Sequence, residues 1–219
     1  MAEAITIIKR DGRREPLDIT KIQKMTSEAV ANLSGVSQSE IELDAHIKFI
    51  DGMKSSDIQD ALIKTAVEKI DIDVPNWTFV AARLFLFDLY HRVGKATKGE
   101  KGSPYSHLSK YIEAGVSAGK IFPTLAEGYN LEKLNDAIDK DRDMQFNYLG
   151  IKTLYDRYLI KNKDGDPIEL PQHMFMGVAM LLAKNEKSEV KDDLAIKFYD
   201  VISKFEVMLA TPTLSNART

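Results

Sequence analysis

Apolar residues along this chain recur mostly at helical spacing, with one short β-branched run near the start. That run, "ITIIKR" over residues 5–10, ends at Asp11-Gly12, a dipeptide suited to a tight hairpin, and a return arm follows from Arg13 to Leu17. A small two-stranded cap is predicted. Ile22, Met25, Ala29 and Leu33 then keep a helical period, with Asp18 or Thr20 placed to cap a first helix from Thr20. A second helix fits residues 39–50 on Ile41, Ala45, Ile47 and Phe49. Gly52 marks a turn, and Ser56-x-x-Gln59 has the form of a capping box opening a third helix on Ile58, Leu62, Ala66 and Ile70. Pro75 falls in the first turn of a long fourth helix, "PNWTFVAARLFLFDLYHRVG", apolar enough to be mostly buried.

The glycine- and lysine-rich stretch "GKATKGEKGSP", residues 94–104, reads as an exposed connection and places a domain boundary. Helical patterns resume over 105–114, 131–143, 144–154, 172–184 and 191–204. A further hairpin is predicted where "YLIKN" and "PIELP" flank Lys163-Asp164-Gly165-Asp166. The last residues, "MLATPTLSNART", read as a strand tip entering a functional loop. Fold class is mainly α (α+β): a β-hairpin-capped four-helix unit, then a helical domain.

Composition narrows the chemistry. At 219 residues with 44% hydrophobic and 29% charged side chains, the chain has room for a sizeable core and the make-up of a globular protein. A net charge of −3 gives no general pull toward a polyanion, so no nucleic-acid partner is expected. Without cysteine, this chain offers no disulfide, Cys-ligated zinc, iron–sulfur cluster or thiol chemistry. No stretch approaches a membrane span and the start lacks the apolar core of a signal peptide, which predicts a cytoplasmic location and no membrane partner.

Two constellations could carry chemistry. Lys9 and Arg10 on one hairpin arm, Glu15 on the other, and Asp18 and Lys21 at the following helix start could grip a triphosphate and a ribose. The same alternation of charge also describes a solvated hairpin face. Ser55-Ser56-Asp57, at the opening of the third helix, offers backbone N–H groups and a hydroxyl to a phosphate or base edge, and equally an ordinary N-cap. "VGKAT" at 93–97 lacks the upstream glycine of a P-loop, and "DKDRD" and "DGD" lack the ligand series of a calcium loop. His46, His91, His107 and His173 show no metal-ligand spacing, so no metal is expected in this chain.

Taken together, "ITIIKRDGRREPLDITKI", "HIKFIDGMKSSDIQDALIKTAVEKI" and "PNWTFVAARLFLF" resemble the ATP-cone at the N-terminus of class I ribonucleotide reductase large (alpha) subunits. "IDKDRDMQFNYLGIKTLYDRYLIKN" resembles the helical segment before that family's catalytic barrel, and "KFYDVISKFEVMLATPTLSNART" the helix and first barrel strand leading to the substrate site. The resemblance implies an ATP-cone over 5–95, a linker at 96–104, a helical reductase domain at 105–206, and a first strand of the α/β barrel with the start of the substrate loop at 207–219.

It also implies a regulatory site for ATP and dATP as allosteric effectors. Lys9, Arg10, Glu15, Lys21 and Ser55 would contact the nucleotide, with Ile7, Ile22, Ile58 and Phe87 walling base and sugar. Three further positions of that site depart from the family pattern: Asp18 for asparagine, Gln59 for histidine and His91 for lysine. An added carboxylate and a lost cation each weaken anion binding. Thr211 matches the threonine that contacts the substrate diphosphate.

The implied activity is reduction of ribonucleoside diphosphates to deoxyribonucleoside diphosphates. The thiols for it belong to a C-terminal catalytic part, the radical metallocofactor to a small (beta) subunit, and re-reduction indirectly to thioredoxin or glutaredoxin. This chain alone is expected to be inactive, as a fragment of a longer large subunit or as one piece of a naturally split one. Two other readings stand beside it: a free-standing ATP-cone nucleotide sensor, and a ligand-free structural interaction module.

Overall fold

The computed structural model describes residues 5–46, 49–97 and 103–219. Predicted features on Ile47 and on 98–102 of the connection lie outside the described residues. The chain divides into two compact units, one of residues 1–88 with 145–152 and one of 89–144 with 153–219.

The first unit opens with strands β1 (Thr6–Ile8) and β2 (Arg14–Pro16), antiparallel with Ile7 opposite Glu15. Gly12 closes their loop at φ +85°, a left-handed value that glycine adopts without a side-chain clash, and its N–H reaches the Lys9 carbonyl at 2.9 Å. Helix α1 (Ile19–Val30) follows at once, capped by the Asp18 side chain. After α2 (Gln38–His46) comes a strand that no periodicity announced: β3 (Met53–Lys54) pairs parallel to β1, Ile7 opposite Met53, giving a three-stranded sheet of order β2-β1-β3.

Helix α3 (Ser55–Glu68) starts directly from β3. The expected capping box does not form there. Lys54 holds the N-cap position without a side-chain bond, while Gln59 donates across to the Leu84 carbonyl at 2.7 Å. Helix α4 (Trp77–Ala96) runs from this unit into the next, and Pro75 stands in the turn before it. The core joins Ile7, Ile22, Ile58, Leu62, Trp77, Val80 and Leu84. Each of the larger side chains contributes roughly 2–3 kcal/mol by leaving water. Arg83 donates to the Ala29 and Ala31 carbonyls at 3.1 and 2.7 Å, satisfying the end of α1.

In the second unit α5 (Leu108–Ser117), α6 (Leu131–Asp136), α8 (Pro171–Leu182) and α9 (Ser188–Ser203) pack together; α7 (Tyr148–Arg157) bridges the chain between units. Pro171–Met180 of α8 are all buried, so this is the unit's central helix. The helix expected over 131–143 stops at Asp136 and gives way to a 3₁₀ segment, Lys140–Gln145. Asp139 explains the break: Tyr199 takes its N–H, and its carboxylate accepts from Asp141 N and Arg142 Nε. The hairpin expected near 163–166 is reduced to one antiparallel bridge, Lys161 to Pro167.

The strand expected over 207–214 is not formed. Those residues lead into a short helix, α10 (Thr211–Asn216), with Pro212 in its first turn. A strand needs a neighbour for its backbone groups. Here the N–H groups of Thr213 and Leu214 turn back to the Ala210 carbonyl at 3.0 and 3.1 Å.

Candidate functional site

In the first unit the hairpin, α1 and α3 enclose a cleft of about 160 Å³. Ile7 of β1, Lys9 from the hairpin loop, Glu15 of β2, Asp18 and Lys21 at the start of α1, and Ile22 line it. Ser55, Ile58 and Gln59 line its α3 side. β3 makes this possible, because its pairing with β1 holds the first turn of α3 against the hairpin. Pockets for small ligands typically enclose about 300–1,000 Å³, so this cleft is smaller than a site that encloses a whole drug-sized ligand.

Its charges are paired internally. Lys9 Nζ lies 3.3 Å from Glu15 Oε1, and Lys21 Nζ lies 3.5 Å from Asp18 Oδ2. Asp18 also accepts from the Thr20 hydroxyl and N–H at 2.5 and 3.0 Å. The hydroxyl bond leads in holding its carboxyl below the ordinary value of 3.8, with Lys21 assisting, so Asp18 stays anionic. The cleft therefore offers two cations and two carboxylates around an apolar wall. A polyanion entering it exchanges one set of ion pairs for another.

Three expected residues do not line the cleft. Arg10 turns its guanidinium to Asp88 of α4 in an ion pair. Phe87 is half-buried against the apolar core, and His91 is exposed on α4 in the second unit. Two lining residues, Leu17 and Met25, were read from the sequence as parts of the hairpin and first helix and not as part of the site. Met25 was legible, since it follows Lys21 by four and Ile22 by three on one helix and so shares their face.

In the second unit the Thr211 hydroxyl lies 3.0 Å from the hydroxyl of Tyr158. Behind it stands a buried polar network that spacing did not reveal, built on Glu169 and Arg218. A second buried network centres on Asp143, which accepts from Tyr90, Tyr105 and Gln172, each at 2.7 Å. Among the described residues, no group of three or more His, Cys, Asp or Glu side chains could hold a metal ion, and no helix is long and apolar enough to cross a membrane.

Residues 5–92 match the ATP cone domain, and residues 144–219 match the all-alpha domain of ribonucleotide reductase. The chain is 59% identical over 215 residues to the ribonucleoside-diphosphate reductase subunit alpha of Helicobacter pylori, covering 98% of this chain and 26% of that protein. It is 36% identical over 222 residues to ribonucleoside-diphosphate reductase 1 subunit alpha of Escherichia coli, covering 100% of this chain and 28% of that protein. Against the subunit alpha of Chlamydia trachomatis it is 33% identical over 219 residues, 98% of this chain and 20% of that protein. The chain thus spans about a quarter of the length of these relatives. With an ATP cone domain followed by the reductase all-alpha domain, it belongs to the ribonucleotide reductase family, as the N-terminal portion of an alpha subunit.

Proposed function

We propose that the cleft between hairpin, α1 and α3 binds ATP and dATP, and that the nucleotide acts as an overall-activity effector for a ribonucleoside-diphosphate reductase. The observation that carries this reading is the convergence of Lys9, Glu15, Asp18 and Lys21 on a cleft walled by Ile7, Ile22 and Ile58. Lysines suit the phosphates, a carboxylate suits ribose hydroxyls, and the isoleucines suit the faces of a base. On this reading Ser55 and Gln59 meet the ligand from α3. Arg10 joins it by giving up its pair with Asp88, and Phe87 and His91 are left outside it.

Thr211 and its Tyr158 partner form one edge of a substrate diphosphate site. The full reaction, reduction of ribonucleoside diphosphates, requires a C-terminal catalytic part with cysteines, a small subunit with its radical metallocofactor, and thioredoxin or glutaredoxin as the indirect source of electrons. The cone over residues 5–95 acts by biasing how these parts assemble, a coupling between effector site and quaternary state.

Calorimetric titration of the 219-residue chain with ATP and dATP tests the effector site. Saturable binding that Lys9→Ala weakens without lowering the melting temperature is the expected result. No heat and no thermal shift at millimolar nucleotide would leave only a structural role for this unit.

A further inference from the structure

Each of three cations around the hairpin is held by a carboxylate. Lys9 pairs with Glu15, Lys21 with Asp18 and Arg10 with Asp88. The first two pairs lie within the cleft, so their carboxylates remain beside whatever binds there. Arg10 and Asp88 are different, because neither lines the cleft. Arg10 is nonetheless the chain neighbour of Lys9, which does. Asp88 is only 14% exposed at its side chain, so the pair is less screened than a fully solvated one.

We infer that Asp88 is an affinity-setting residue for the nucleotide cleft: it holds Arg10 in the free protein, and nucleoside triphosphates bind by taking Arg10 from it. The inference rests on the effector reading of the cleft. A polyphosphate offers the guanidinium the same bidentate geometry as a carboxylate and carries more charge, so it can win the exchange. The free energy of breaking the Arg10–Asp88 pair is then subtracted from binding, and the chain responds only at higher nucleotide concentration. The subtraction grows with ligand phosphate count, because only a ligand with phosphates recruits Arg10.

Titration calorimetry with ATP, ADP, AMP and adenosine on the wild type, Asp88→Asn, Asp88→Glu, Arg10→Gln and the Arg10→Gln/Asp88→Asn double variant tests this. Asp88→Asn should lower the Kd for ATP by about threefold to fivefold, less for ADP and AMP, and not at all for adenosine. Asp88→Glu keeps the charge and should bind like the wild type. In the Arg10→Gln background the Asp88→Asn change should have no effect, since the competition it relieves is gone.

An ATP affinity unchanged or weakened in Asp88→Asn, while the wild type binds, would overturn the inference and leave the effector site standing. So would a gain that is equal for adenosine or that persists without Arg10. Failure of both wild type and Asp88→Asn to bind any adenine nucleotide would remove the effector reading and this inference together.

Discussion

Glu169 and Arg218 form a bidentate ion pair with both side chains wholly buried, Nε to Oε1 at 2.5 Å and Nη2 to Oε2 at 2.7 Å. Further hydrogen bonds surround the pair. Tyr111 donates to Oε1 and Ile160 N–H to Oε2, while the guanidinium also reaches the carbonyls of Leu214 and Tyr158. The pair thus ties α10 to α5 and to the chain ahead of α8.

Removing one partner leaves a charge buried without compensation, which costs about 3–5 kcal/mol. Arg218→Met or Glu169→Leu should each lower the unfolding free energy measured by urea titration by that amount. The double variant Glu169→Leu/Arg218→Met should lose less than the sum of its singles. Additive losses would contradict the pairing.

Asp143 and His173 pull the pH dependence of the second unit in opposite directions. Burial pushes the Asp143 carboxyl from 3.8 up to about 6, against the hydrogen bonds of Gln172, Tyr105 and Tyr90. Its contribution to stability is complete below 3.8 and is lost as pH rises through about 6. Burial pulls His173 from 6.5 down to about 3, so its contribution is complete above 6.5 and is lost as pH falls toward 3. Between about pH 4 and 6 the two slopes oppose, each about 1.4 kcal/mol per pH unit. Asp143→Asn should leave stability rising with pH across that window, and His173→Gln should leave it falling. Urea midpoints at about pH 4, 5 and 6 read the sign directly.

Gly115 of α5 faces Ile121 closely: a Cβ there would lie 2.3 Å from Ile121 Cδ1 and 2.6 Å from Cγ1. Gly115→Ala should cost about 1–3 kcal/mol in thermal unfolding despite alanine's better helix propensity. In an Ile121→Ala background the same change should be close to neutral, which separates crowding from backbone strain.

Asp18 gives α1 its cap, and asparagine caps equally well. Asp18→Asn should therefore leave the melting temperature unchanged, whereas Asp18→Ala should lower it. A drop in both would show that charge, not capping, holds this helix end.

The hairpin and the four helices after it were legible because local pattern and tertiary demand agree there: Ile22, Ala29, Ile58, Leu62 and Ala66 keep a helical period and all face the core. Two-residue β3 carries no local signal. It exists through pairing with Ile7 and Ile8, far away along the chain. The capping pattern Ser56-x-x-Gln59 misled because α3 begins from a strand, which leaves Gln59 to bond Leu84 instead. At 207–214 apolar residues and a Thr-Pro-Thr suggested a strand, but among the described residues no neighbour pairs with them, and Pro212 favours a helical first turn. Most of the cleft could be placed from charge and resemblance. Arg10 could not, because its partner Asp88 is 78 positions away and only folding brings them together.

The absence of any linker between β3 and α3 makes those two elements one lever. Adding a single residue between Lys54 and Ser55 would rotate α3 by about 100° and carry Ser55, Ile58 and Gln59 off the cleft together. Hairpin and α3 are thus a fixed jaw, locked by the parallel pairing of Ile7 with Met53. The opposite jaw, α1, follows the hairpin through Leu17 and Asp18 and is anchored at its far side by Thr26 on Glu42 and by Arg83 on the Ala29 carbonyl.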